Sequence, residues 1–157
     1  MIPYRLIPLE TAVAQGLREA RIDAQGNQLR PQRADEPHAF PCRHCLRDAE
    51  PGEELLLASY TPYQTQNPYR EFGPVFVHAE ACPRYRAEQG IPDQLRRRLL
   101  ALRGYDGQQR LLAGEVVQGA EVEGAIERLL SRDDVAWIHV RFAKPGCFAC
   151  RIERAAA

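Results

Sequence analysis

The chain has 157 residues, 45% of them hydrophobic and 27% charged. That is ordinary for a globular protein and long enough to bury a real core. Basic and acidic residues balance at 21 each, for a formal net charge of zero. This balance removes the electrostatic case for non-specific binding to nucleic acid or to a membrane surface, so neither is an expected partner.

The opening MIPYRLIPLE carries one basic residue, Arg5, and no apolar run of signal-peptide length follows it. No stretch approaches the roughly 18 apolar residues of a membrane span. The five cysteines are an odd number, which suits reduced thiols in a cytoplasmic protein. Ile2 to Leu6 reads as a strand. Leu9, Val13, Leu17 and Ala20 then recur at helical spacing. Residues 23–41 form a long polar loop, dense in Gly, Pro, Gln and Arg, within a single globular domain spanning 1–157. A loop of that length is either mobile or functional.

Cys42 and Cys45 follow as C-x2-C, and after 32 further residues His78 and Cys82 follow as H-x3-C. Three thiols and an imidazole at this spacing form a ligand set for one tetrahedral zinc ion. Pro41 brings the first pair in from an extended segment. Pro51-Gly52 then turns the chain. Glu53 to Tyr60 and Pro74 to His78 read as the two strands of a hairpin, which brings the pairs together. Ala79 to Gln89 is expected to begin a helix bearing Cys82, although Pro83 restricts it. Knuckle, hairpin and helix make a layout like that of treble-clef zinc fingers, in arrangement only. Four protein ligands make a closed, structural zinc the expected cofactor, since a catalytic ion keeps an open position for water. His44 can take the place of His78 in such a set. A four-cysteine site combining Cys42, Cys45, Cys147 and Cys150 is a further alternative. Structural thiols in a strand over Cys147 to Glu153, where Cys147 and Cys150 point to opposite faces, are the plainer reading of the second C-x2-C.

Pro92 and Asp93 suit a helix start, with Leu95, Leu99 and Leu102 on its buried face. A short strand is expected around Leu102 to Tyr105, before the Asp106-Gly107 turn. Arg110 to Gln118 reads as another strand. Val122, Ala125, Ile126, Leu129 and Leu130 mark an amphipathic helix. Val135 to Phe142 alternates, with Ile138 and Val140 on one face and Trp137, His139 and Arg141 on the other. The fold expected is therefore α+β, with a mainly antiparallel sheet and about three helices.

Arg103 and Tyr105 share the i, i+2 spacing of His139 and Arg141. If the two strands are neighbours, these four residues line one anion-binding surface, suited to a carboxylate or phosphate. Tyr60, Tyr63, Tyr69 and Phe72 cluster around the hairpin loop and can cover it. The blander reading is a half-solvated sheet face with cross-strand contacts.

The strings PCRHCLRDAEPGEELLLASYTPY, GPVFVHAEAC, LRGYD and IHVRFAKPGCFACRIER resemble a bacterial family of uncharacterised proteins, domain of unknown function 1203. The resemblance runs from about Tyr4 to Arg154. It implies a single-domain bacterial protein and carries no reaction with it. Two functional classes follow from the residues: a zinc-stabilised module that binds a small anionic ligand or a protein partner, or an enzyme with the metal or a Cys/His pair as its reactive centre. Oligomeric state is not read from the sequence.

Overall fold

The computed structural model describes residues 1–156. It is an α+β protein of eight strands and three helices, with every strand pair antiparallel. The chain divides into two compact units. Unit 1 comprises Met1–Ile7, Tyr63–Glu71 and Leu95–Ala157, and unit 2 comprises Pro8–Pro62 and Phe72–Gln94.

Unit 1 is a five-stranded sheet with one helix against it. Its strands are β1 (Tyr4–Ile7), β5 (Leu99–Tyr105), β6 (Leu111–Gln118), β7 (Trp137–Phe142) and β8 (Phe148–Arg154), in spatial order β1-β8-β7-β5-β6. The alternation anticipated in β7 holds. Ile138, Val140 and Phe142 are buried on one face with Leu100 and Leu102 of β5 and Ile152 of β8. The helix α3 (Val122–Leu130) covers that face with Val122, Ala125, Ile126, Leu129 and Leu130, all buried. Each large aliphatic among them contributes roughly 1.5–3 kcal/mol by leaving water.

The helix predicted from Pro92 to Leu102 is much shorter. α2 spans only Asp93–Arg96, and the chain is already extended by Leu99. Leu100 and Leu102 are buried two apart, so the period is that of a strand and the leucines fit either pattern when read alone. Gly119 fixes the approach to α3. A side chain there would meet the Leu95 carbonyl oxygen at 1.9 Å, and its N–H donates to Arg98 O at 2.8 Å.

Unit 2 holds α1 (Thr11–Ala20) and a three-stranded sheet in the order β2 (Gln32–Arg33), β3 (Glu54–Tyr60), β4 (Gly73–His78). Leu9, Ala14 and Leu17 pack with Leu56, Ala58, Val75 and Val77. The polar stretch 23–41 carries β2 and is tied down at its start by the buried Asp23. The Asp23 carboxylate accepts hydrogen bonds from Gln25 N, Asn27 N and Ser59 N, the last linking the turn to β3.

The knuckle and hairpin stand as expected, and the helix after them differs. Residues 79–86 are irregular, followed by a single 3-10 turn, Ala87–Gln89. Pro83 disfavours helix at Cys82 before it. The Tyr85 N–H donates to His44 O at 3.0 Å instead of to a helical carbonyl. Among the described residues no helix is long and apolar enough to cross a membrane.

Candidate metal centre and the Arg103–Arg141 face

Cys42 and Cys45 sit on a tight reversal between Pro41 and Asp48, which form an isolated antiparallel bridge. Leu46 completes the turn with φ 55°, a left-handed conformation that a leucine adopts at a cost. The backbone of Cys42 and Arg43 lies along β4. Arg43 N donates to Phe76 O at 2.9 Å, and the wholly buried Arg43 guanidinium donates to Pro41 O at 2.6 Å. In the hairpin Leu55 pairs with His78, which puts His78 at the end of β4 beside the knuckle. Four residues beyond His78, Cys82 closes the group.

Cys42, Cys45, His78 and Cys82 each present a ligand atom, and the four atoms lie within 4.8 Å of one another. Cys42 and Cys82 Sγ are 4.0 Å apart. His78 Nδ1 lies 3.6 Å from Cys45 Sγ, and Nε2 faces Glu53 Oε2 at 3.2 Å. Both sides of the imidazole are thus engaged, with one nitrogen inward and the other on a carboxylate. That is the outer-contact pattern that fixes metal-bound histidines. Glu53 is in turn gripped by Arg47, whose Nη1 and Nη2 donate to its two oxygens at 3.0 and 2.9 Å. Arg18 donates from Nη2 to Cys82 Sγ at 3.3 Å and from Nε to His78 O at 2.9 Å.

The electrostatics of the cluster ask for positive charge. Hydrogen bonds from the Cys45 and Cys82 thiols, and from the Cys45 backbone N–H, hold Cys42 far below the usual thiol range. Cys45, against the Cys42 and Cys82 sulfurs, is pushed up. Burial alone would lower His78, but the Cys42 and Cys82 sulfurs and Glu53 outweigh it and raise it to about 10. Arg47 chiefly holds Glu53 down at about 2. These groups share protons among themselves, and a divalent ion held there would displace those protons.

His44, the alternative ligand, lies outside the group of four. Its Nδ1 is 3.2 Å from Cys82 Sγ, and its Nε2 is engaged by Thr11 Oγ1 at 2.9 Å. Cys147 immediately precedes β8 in unit 1 and Cys150 lies within it, where Ala149 forms a bulge between Phe148 and Cys150, so the strand expected from Cys147 begins at Phe148. All five thiols are unbridged. Sequence reading missed Glu53, Arg47, Arg18 and Arg43. Only Glu53 had a signal, as the acidic residue preceding the strand that pairs with His78. A 630 Å³ cleft opens beside the cluster, with Arg33, Arg47, Glu53, His78 and Cys82 among its lining residues.

In unit 1, β5 and β7 are neighbours, with Arg103 opposite His139, Tyr105 opposite Trp137 and Ala101 opposite Arg141. Arg103, Tyr105, His139 and Arg141 therefore share one sheet face. It is not a half-solvated face. Tyr105 and His139 are each 1% exposed and Arg141 is 5% exposed. The cover is the Tyr63–Glu71 segment. Tyr63 Oη lies 2.6 Å from Tyr105 Oη, and its ring meets His139 edge-on at 5.2 Å. Tyr69 packs on Tyr105. Glu71, which sequence reading passed over, forms an ion pair with Arg141 and lies 3.6 Å from Arg103 Nη1.

His139 is boxed by Tyr63, Tyr105 and Phe148, and neither of its ring nitrogens has a hydrogen-bond partner among the described residues. Burial, then the charges of Arg141, Arg151 and Arg103, lower it to about 3, so the ring is neutral at physiological pH. Burial, with Tyr63 beside it, raises the Tyr105 phenol to about 12.

A family model described as "Protein of unknown function (DUF1203)" matches residues 39–154. No curated protein and no solved structure matches the chain.

Proposed function

The chain belongs to the DUF1203 family, and we propose that it is a zinc-stabilised binding module whose Arg103–Arg141 face receives the anionic group of a small ligand. The observation that carries the metal half is the convergence of three sulfurs and one imidazole within 4.8 Å, with the outer nitrogen of that imidazole already on a carboxylate. Zn–S bonds of about 2.3 Å place tetrahedral sulfurs about 3.8 Å apart, close to the 4.0 Å between Cys42 and Cys82 Sγ. Four protein ligands fill the four positions, which favours a structural ion. Three thiolates and a dication leave a net charge of minus one, and the Arg18 guanidinium on Cys82 offsets it. Holding this ion requires thiols that stay reduced, so the unbridged cysteines support a reducing compartment such as a bacterial cytoplasm.

Support for the binding half comes from Arg103, Arg141, His139 and Tyr105 on one covered face with unspent hydrogen-bonding capacity. The metal is tested by melting the protein with and without a strong chelator. A melting temperature unchanged by complete metal removal overturns the structural role. The face is tested by a thermal-shift screen of small carboxylates and phosphates. At least one should stabilise the chain, and Arg141→Ala should abolish that shift.

The second reading is an enzyme, and the observation favouring it is the cleft that reaches His78 and Cys82. It requires one of the four ligands to yield its position to water or substrate. Cobalt substitution separates the two readings: a tetrahedral thiolate-rich spectrum, unmoved by added small anions, supports the module, and a five-coordinate spectrum supports the enzyme.

A further inference from the structure

Glu71 stands out because of what it occupies. Its carboxylate comes from the Tyr63–Glu71 segment, which belongs to no helix or strand. It meets two guanidiniums of unequal burial. The Arg141 side chain is 6% exposed and the Arg103 side chain 40%, while Glu71 itself is 48% exposed. The buried arginine therefore has a carboxylate that reaches it from the solvent side. Arg141 is otherwise fixed, with Nη1 donating to Gly146 O at 3.0 Å and Nη2 to Tyr63 Oη at 3.4 Å. Its Nε has no partner among the described residues, and neither has either nitrogen of the neighbouring, fully buried His139. Orphaned polar atoms of this kind are uncommon in a finished core and mark a place where another group belongs.

The geometry points to a carboxylate subsite in which Glu71 is an internal stand-in, displaced when a small free carboxylate binds between Arg103 and Arg141. This rests on the proposed anion-binding face and adds to it the class of ligand and the group that competes with it. A carboxylate is favoured over a phosphate because the segment itself supplies a carboxylate, whose Oε1 faces both guanidiniums. The neutral imidazole of His139 is suited to accept a hydrogen bond from a hydroxyl or amine elsewhere on such a ligand, since one of its nitrogens carries no proton. The covered state holds the apparent affinity down, because only the fraction of molecules with Glu71 displaced is competent to bind.

Succinate is the probe, titrated by calorimetry at constant ionic strength into the full chain, Glu71→Gln and Glu71→Gln/Arg103→Ala. Removing the competing charge should tighten succinate binding about tenfold, and adding the half-exposed Arg103→Ala change should cancel the gain. Inorganic phosphate should bind Glu71→Gln more weakly than succinate does. Hydrogen exchange of the unmutated chain needs no folded variant: amides of 63–71 should exchange faster at saturating succinate. Arg103-dependent succinate binding that Glu71→Gln leaves unchanged or weakens overturns this inference and leaves the anion-binding face standing. Slower exchange in 63–71, or tighter binding of phosphate than of succinate, also overturns it. An absence of Arg103-dependent binding in every variant overturns the proposed face itself.

Discussion

The Cys/His cluster of unit 2 and the covered face of unit 1 are both places where polar groups leave water, and they are satisfied in different ways. Around Cys42, Cys45, His78 and Cys82 the polar atoms are engaged. Arg18 and His44 attend Cys82, while Glu53 and Arg47 attend His78. Its three sulfurs and one imidazole converge within 4.8 Å, a set compatible with one metal ion. On the Arg103–Arg141 face the guanidiniums meet a carboxylate, yet the buried ring of His139 has no hydrogen-bond partner among the described residues. The first arrangement has its outer contacts complete, and the second is only partly satisfied. Complete outer contacts suit a permanent structural role, whereas partial satisfaction suits exchange with a ligand.

The sharpest way to break this comparison is Cys82→Ser. If the ion is structural, losing one thiolate removes much of the binding free energy that also holds unit 2 folded, a quantity on the order of 10 kcal/mol for structural zinc. Cooperative melting of unit 2 should be lost, followed by near-ultraviolet dichroism of its tyrosines. A Cys82→Ser protein that melts like the parent would make the cluster an ordinary group of buried thiols.

A smaller effect is expected from the outer contacts. Glu53→Gln keeps the shape of the side chain and removes the charge facing His78 Nε2. Metal affinity should fall by about 10- to 100-fold, read by competition with a zinc indicator. Unaltered affinity would mean that Glu53 serves only Arg47.

The smallest effect concerns His139 and is read against pH. Its folded value, about 3, lies below its ordinary 6.5, so between these values the unfolded chain holds a proton that the folded chain does not. Stability must therefore fall as pH drops from about 6.5 towards 3, by at most about 1.4 kcal/mol per pH unit from this residue. Above 6.5 the residue contributes no slope. His139→Phe should flatten that part of the profile in denaturant titrations. A variant with the parent's slope would assign the acid sensitivity to other groups.

The cluster was legible because its signal is local. Two short pairs flank a stretch whose Pro51-Gly52 turn and aliphatic runs announce a hairpin, and the hairpin register does the rest. The faces of β7 were legible from alternation alone. Leu95, Leu99 and Leu102 misled because the run also holds Leu100: a helix would bury Leu99, whereas β5 buries Leu100 and Leu102, and the choice was made by the pairing of β5 with β6 and β7. The helix after His78 failed on Pro83. Glu71 could not be read from its surroundings, since nothing in PYREF says which sheet residues that carboxylate will meet. A covering loop is placed by contacts distant in sequence, and those have no period.

X-ray absorption at the zinc edge of protein purified without chelator reads the ligand set of the Cys42–Cys82 cluster itself. One zinc per chain is expected, bound by three sulfurs at about 2.3 Å and one nitrogen at about 2.0 Å. A shell containing an oxygen ligand in place of His78 or of a cysteine, or protein that takes up no stoichiometric zinc while its thiols are reduced, would contradict it.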